Sequence, residues 1–124
     1  MGKQVGLISA IVLTAALFAV GATAEEKLQK LSGSQIRAKL AGLEFTDEVH
    51  FRDSYDRGGK VTSTSMGRKR TGKWHVEKDQ FCIEFDKEPP AKCYEVWTSG
   101  KKVELRGEGV LLLQGIVEPP SGRK

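Results

Sequence analysis

The stretch Gly72–Trp97, GKWHVEKDQFCIEFDKEPPAKCYEVW, decides the fold. Taking Lys78-Asp79 as a two-residue turn pairs Glu77 with Gln80, Val76 with Phe81, Trp74 with Ile83 and Gly72 with Phe85. Side chains alternate along a strand, so this register gathers the apolar residues on one face. The other face receives His75 opposite Cys82 and Lys73 opposite Glu84. A slip of one residue destroys the sorting. A second register follows from the only two cysteines. With Cys82 opposite Cys93, Phe81 faces Tyr94, and Phe81, Ile83, Tyr94 and Val96 share the inner face. Glu88-Pro89-Pro90 falls in the connection, where proline is tolerated. The two registers rest on different residues and agree on one core. Gly72 reads as a packing accommodation beside Trp74 or as a bulge.

Residues 1–24 read as a secretory signal peptide. Lys3 is a thin basic n-region, Val5 to Val20 an uncharged apolar run, and Ala22-Thr23-Ala24 an A-x-A cleavage site before Glu25. The apolar run is shorter than the roughly 20 residues that span a bilayer, so no stable membrane insertion is expected after cleavage. An exported chain meets oxidising surroundings, so Cys82 and Cys93 are expected to form a structural disulfide. They lack the C-x-x-C spacing and the helix start that would lower a thiol pKa. A periplasmic or secreted location follows. The formal charge of the whole chain is +4, a mild bias that Lys3 alone reduces by one on removal.

Residues 25–31 are charged and expected to be flexible. In LSGSQIRAKLAG, Ser32 and Gln35 form a capping box, Leu31 and Ile36 a hydrophobic staple, and Gly42 the residue past the helix end. Ile36 and Leu40 share one helical face, which must dock on something because so short a helix is not stable alone. From Leu43 the period becomes 2: Leu43, Phe45, Val49, Phe51 and Tyr55 occupy odd positions. Asp56-Arg57-Gly58-Gly59 is a turn. Lys60 to Met66 is a Ser/Thr-rich strand that suits an edge or a solvated region. A turn at Ser99-Gly100 sets Val96 against Val103, and one at Gly107-Glu108 sets Leu105 against Val110. The last strand, Val110 to Val117, is apolar on both faces at Leu111 and Leu113, which suggests cover on both sides or self-association. Pro119-Pro120 ends it, and residues 119–124 form a tail. The expected fold is mainly β: a short helix docked on an antiparallel meander of about seven strands, curled or a partial barrel, forming one domain over residues 32–118.

These residues resemble a family of small exported bacterial proteins of unknown function. The pieces that carry the resemblance are LSGSQIRAKLAG, Tyr55-Asp56-Arg57-Gly58-Gly59, Gly72-x-Trp74-x-Val76, Cys82, and Cys93-Tyr94-x-Val96 before Gly100. It covers nearly all of the chain after the signal peptide. Its motifs are a cap, a turn, a packing pair and a staple, so it implies a fold and an exported address. Some similar sequences bear the name dihydrodipicolinate reductase, and the residues here argue against that activity. The chain has no G-x-G-x-x-G turn to seat a dinucleotide, no catalytic histidine pair and no room for a Rossmann unit. The nearest string to that enzyme's substrate loop, Glu118 to Arg123, lacks its lysine.

No catalytic or cofactor motif is present, and no metal site is spaced into the sequence. His50 and His75, the only histidines, fall on outward positions of different strands. Asp47 and Asp53 fall on the inward parity of their strand, near Tyr55. A buried carboxylate must find a partner or shift its pKa upward; the plainer alternative is a strand end or bulge that turns both to water. Arg68, Lys69 and Arg70 form the one basic cluster, which suits an anion or a solvated hairpin end. Interleaved aromatics for nucleic acid are absent. Trp97 lies on the outward face and is the candidate anchor for a partner. The function expected is a non-catalytic binding domain of the cell envelope, its partner a protein, a glycan or a small ligand. An enzyme with Asp47, Asp53 or Tyr55 in a cleft, or a self-associating structural component, are the alternatives.

Overall fold

The Ser32 hydroxyl accepts the Gln35 backbone N–H, and the Gln35 side chain accepts the Ser32 N–H at 2.8 Å. This capping box starts α1, Gly33–Leu40, as the sequence indicates. Ile36 and Leu40 are fully buried, and Gly42, at φ +79°, turns the chain out of the helix. The computed structural model describes residues 27–120, with Gly2 and Gly6; the expected signal peptide and residues 121–124 otherwise lie outside the described residues.

Nine strands follow the turn signals: β1 Gln29–Lys30, β2 Glu44–Thr46, β3 Phe51–Tyr55, β4 Lys60–Ser65, β5 Arg68–Glu77, β6 Gln80–Phe85, β7 Lys92–Ser99, β8 Lys102–Arg106 and β9 Leu113–Glu118. From β2 to β9 each strand pairs antiparallel with the next, and β9 returns to β2 with Phe45 opposite Val117. The meander is therefore an eight-stranded barrel. β1 lies outside it, paired with the second half of β7 through Lys30 and Trp97, within the stretch expected to be flexible. The closing seam has its own clamp: Arg52 on β3 donates to Glu44 on β2 and to Glu118 on β9. No helix among the described residues is long and apolar enough to cross a membrane.

Both registers of the central stretch are as the alternation dictates. Val76 faces Phe81, Trp74 faces Ile83, Gly72 faces Phe85, and Phe81 faces Tyr94 beside the Cys82–Cys93 disulfide. Gly72 is required by backbone approach: a Cβ there would lie 2.3 Å from the Glu84 carbonyl oxygen. Trp74, Tyr55 and Phe81 meet edge-on or tilted, with ring centroids 4.8 to 6.4 Å apart, and form the aromatic centre of the core.

Four expectations change. The single strand from Leu43 to Tyr55 is two strands, because the Asp47 carboxylate accepts the backbone N–H groups of Val49, His50 and Phe51 and folds residues 47–50 into a turn. Val49, assigned to the core, is 79% exposed there. The β7–β8 turn lies one residue later than Ser99-Gly100, so Val96 faces Leu105; a two-residue shift leaves the faces unchanged. The last strand begins at Leu113 instead of Val110, with Leu105 opposite Leu113 and Val103 opposite Gly115. Gly115 sets this register, since a Cβ there would lie 2.4 Å from the Thr46 carbonyl oxygen. Finally, β4 is no edge. It lies between β3 and β5, and Ser63 is 2% exposed.

The helix fills one end of the barrel. Its first residue donates to Asp79 in the β5–β6 turn, and Lys39 donates to the Gly100 carbonyl in the β7–β8 turn. Between them the Arg37 guanidinium lies 5.3 Å over the Trp74 ring. The β3–β4 turn belongs to the same end, where the Trp74 indole N–H donates to the Asp56 carbonyl at 2.8 Å. The connections at residues 47–50, 66–67, 86–91 and 107–112 surround the opposite end, which is open.

Candidate functional site

Asp53 on β3, Ser63 on β4 and Arg70 on β5 are consecutive cross-strand partners. Alternation turns all three inward, on the parity of Tyr55, Val61 and Gly72. They line a cavity of about 280 Å³ at the open end, near the lower bound for a small-molecule site. Tyr94 joins them from β7; Phe51, Phe85, Val110 and Leu113 supply apolar wall.

Asp53 is 7% exposed, and its Oδ1 has no hydrogen-bond partner among the described residues. Tyr55, 1% exposed, packs beneath the cavity, and its Oη also lacks a hydrogen bond of good geometry. Buried polar atoms in folded proteins are paired with few exceptions, and here the two groups neighbour and act on each other. Burial pushes the Asp53 carboxyl up, while Ser63, the Arg70 charge and Tyr55 pull against it. Burial, then the neighbouring Asp53 and Tyr94, pushes the Tyr55 phenol well above its ordinary value. The Arg70 guanidinium lies 3.9 Å over the Phe85 ring and 3.1 Å from Glu88. Its charge is thus engaged at the rim.

The other sequence-predicted residues are elsewhere. Asp47 holds the β2–β3 turn. Desolvation opposes it, yet three backbone donors and the His50 ring at 2.7 Å hold its carboxyl well below the usual range. So of the two carboxylates considered for the interior, Asp53 is inside and Asp47 is not. Arg68 and Lys69 are exposed at the β4–β5 hairpin end, and only Arg70 of the basic cluster reaches the cavity. Trp97 is on the outer face and only partly exposed. The Arg106 guanidinium covers its ring at 4.3 Å, and its indole N–H donates to Glu95 at 3.2 Å. His75, Glu77 and the Cys82 sulfur come within 4.8 Å of one another, but that sulfur is in the disulfide and offers no thiolate.

The chain matches no protein-family model, no curated protein and no solved structure.

Two polar groups of the site were not singled out by the sequence, the Ser63 hydroxyl and the Tyr94 phenol, and Leu113, read on the outer face of the last strand, lies inward opposite Leu105. The available signal was in β4, where Val61 and Ser63 share the parity of the core strands on either side. Read as an interior strand, it places a hydroxyl directly opposite Asp53. Chemically, the cavity holds a buried carboxylate, flanking hydroxyls and apolar walls, with Arg70, Glu88 and Lys92 also in its lining.

Proposed function

We propose that this protein is an exported, non-catalytic binding protein that holds a small molecule in the open end of its barrel. One observation carries the reading: the open end of the barrel holds a cavity of about 280 Å³ in which Asp53, Ser63, Arg70 and Tyr94 stand beside apolar walls. Eight strands enclose an interior that side chains can just fill or that can hold one small ligand; here the helix end is filled and the other is not. The disulfide fits an oxidising compartment. Together with the A-x-A site and the resemblance to small exported bacterial proteins, it supports the periplasm or the extracellular medium as the location. A mature chain beginning at Glu25 is the expected product, and intact-mass measurement of the exported protein tests it.

Native mass spectrometry of the protein from its own envelope fraction tests the binding reading. A small molecule should co-purify with the native chain and be lost from a Leu113→Trp variant that fills the cavity. A tightly held partner chain with an empty cavity would argue for an interaction domain instead. Acid–base catalysis is the second reading, favoured by the meeting of Asp53 and Tyr55. It is less well supported, because Tyr55 is sealed beneath the floor and its proton is held tightly. Self-association by strand pairing finds no free edge on β9, which is paired on both sides.

A further inference from the structure

We propose that the occupant is a small amphipathic anion, its carboxylate held at the cavity mouth by Lys92 and Arg70 and its apolar body against Phe51, Phe85 and Leu113. This rests on the binding reading above and adds the chemistry of the occupant. Both cations line the cavity from the inner face of the barrel. Lys92 shares the inward parity of β7 with Tyr94 and Val96 and lies opposite Ile83; Arg70 shares that of β5 with Gly72 and Trp74. Lys92 makes no ion pair among the described residues. Glu88 takes the Arg70 Nη1, and the other guanidinium N–H groups make no hydrogen bond among the described residues. Lys92 and Arg70 against Glu88 leave one positive charge at the mouth for an incoming group to answer.

Asp53 does not answer it. It stands on β3, two strands from Arg70, and is closed beneath the floor beside Ser63 and the Tyr55 phenol. Arg70 reaches it through its field and not through an ion pair, since the guanidinium is turned the other way, to the Phe85 ring and Glu88. The surroundings of the mouth carry the same sign. Arg68, Lys69 and Lys87 are exposed on the adjacent β4–β5 and β6–β7 hairpin ends, where Asp86 and Glu88 are the acids. An excess of one sign around a mouth with apolar walls draws in the opposite ion. The arginine fork matches a carboxylate, and hydrogen bonds between ionised partners are shorter and stronger. The volume of about 280 Å³ limits the body to one small ring or a short chain. The arrangement selects by charge at the mouth and by size and apolarity within.

Isotope-labelled exported protein, disulfide formed, is titrated with hydrocinnamate, phenethyl alcohol and phenethylamine, which share an aryl body and differ in the head group. Backbone amide shifts locate binding. Hydrocinnamate should give saturable shifts at Phe51, Phe85, Lys92 and Leu113 and bind about tenfold or more tightly than the alcohol, the range expected of a hydrogen bond to a charged group. Phenethylamine should bind no more tightly than the alcohol. Lys92→Gln should weaken hydrocinnamate by about threefold or more and leave the alcohol unchanged, and Lys92→Arg should keep the preference. Lys92 is exposed, so both variants should fold, and the comparison among the three probes on the native chain needs neither. Binding of the alcohol or the amine as tight as that of hydrocinnamate at the same amides, or a hydrocinnamate affinity unmoved by Lys92→Gln, would overturn the anion assignment and leave the cavity reading intact. No saturable shift at those amides with any probe at millimolar concentration would overturn both.

Discussion

Trp74→Ala removes the side chain on which three parts of the core converge. The indole is 3% exposed and packs on Tyr55 and Phe81 within the barrel, while Arg37 of the helix covers it. Truncating a buried Trp to Ala costs about 3–5 kcal/mol in transfer and cavity terms. Loss of the Arg37 contact adds roughly 0.5–1 kcal/mol. The indole hydrogen bond adds little, because Asp56 is exposed and its carbonyl can be rehydrated. A total near 4 kcal/mol is a large part of the ~5–15 kcal/mol that a domain of this size has. With a urea m-value of about 2 kcal/mol/M, the midpoint should fall by roughly 2 M. Trp97→Ala is the control. Trp97 lies outside the barrel, half-buried under Arg106, and its truncation should cost only about 1 kcal/mol. Urea melts followed by far-UV circular dichroism measure both without depending on the fluorophore removed. A Trp97→Ala variant that loses more than Trp74→Ala would refute the assignment of inner and outer faces.

Gly72→Ala should destabilise by about 3 kcal/mol or more, because its methyl meets the backbone of β6 rather than a movable side chain; a thermal melt matching wild type would show that β5 and β6 are further apart. Cys82→Ala with Cys93→Ala should cost about 2–3 kcal/mol for a cross-link spanning 11 residues, read as a lower urea midpoint than the oxidised wild type. Asp53→Asn should raise stability at neutral pH. Burial raises the Asp53 pKa, so the carboxyl's contribution is fully present below its usual 3.8 and is lost as pH rises through the shifted value. The melting temperatures of variant and wild type should therefore converge on acidification and separate again on return to pH ~7; a constant offset would contradict the burial. Asp47→Ala should act in the opposite sense: its lowered pKa stabilises above 3.8 and the benefit fades as pH falls through the shifted value, so wild type should lead at neutral pH.

The central strands β5 to β7 were legible because alternation and disulfide pairing constrain the same face independently. Trp74, Phe81, Tyr94 and Val96 needed nothing beyond period 2. The helix was legible from its cap alone. What escaped was set by single tertiary contacts. Asp47 ends β2 through three backbone hydrogen bonds that no periodicity records, and this divides one long strand into two and closes the barrel with an eighth. Gly115 fixes the last register through its approach to Thr46, a residue far away in sequence. The cavity was half legible: parity put Asp53 inside, and the choice between core and solvent depended on whether β4 had a neighbour on each side. Its weak apolar content argued for an edge, yet an interior that is partly open needs hydroxyls as much as it needs valines.

The barrel's two ends differ in how freely they can change. The capped end carries the helix, the Asp56 and Asp79 contacts and the aromatic centre, so substitutions there act on stability. The connections at 47–50, 66–67, 86–91 and 107–112 hold no buried residue, although they ring the cavity. Substitutions away from the core usually shift stability by less than about 0.5 kcal/mol. Apart from Asp47, whose carboxylate shapes the 47–50 turn, and Gly107, where a Cβ would lie 2.8 Å from the Cys93 carbonyl oxygen, these connections can be exchanged almost independently of folding. A library randomised at Val49, Met66, Leu111 and Leu112, all exposed and all on that rim, should retain the fold in most members.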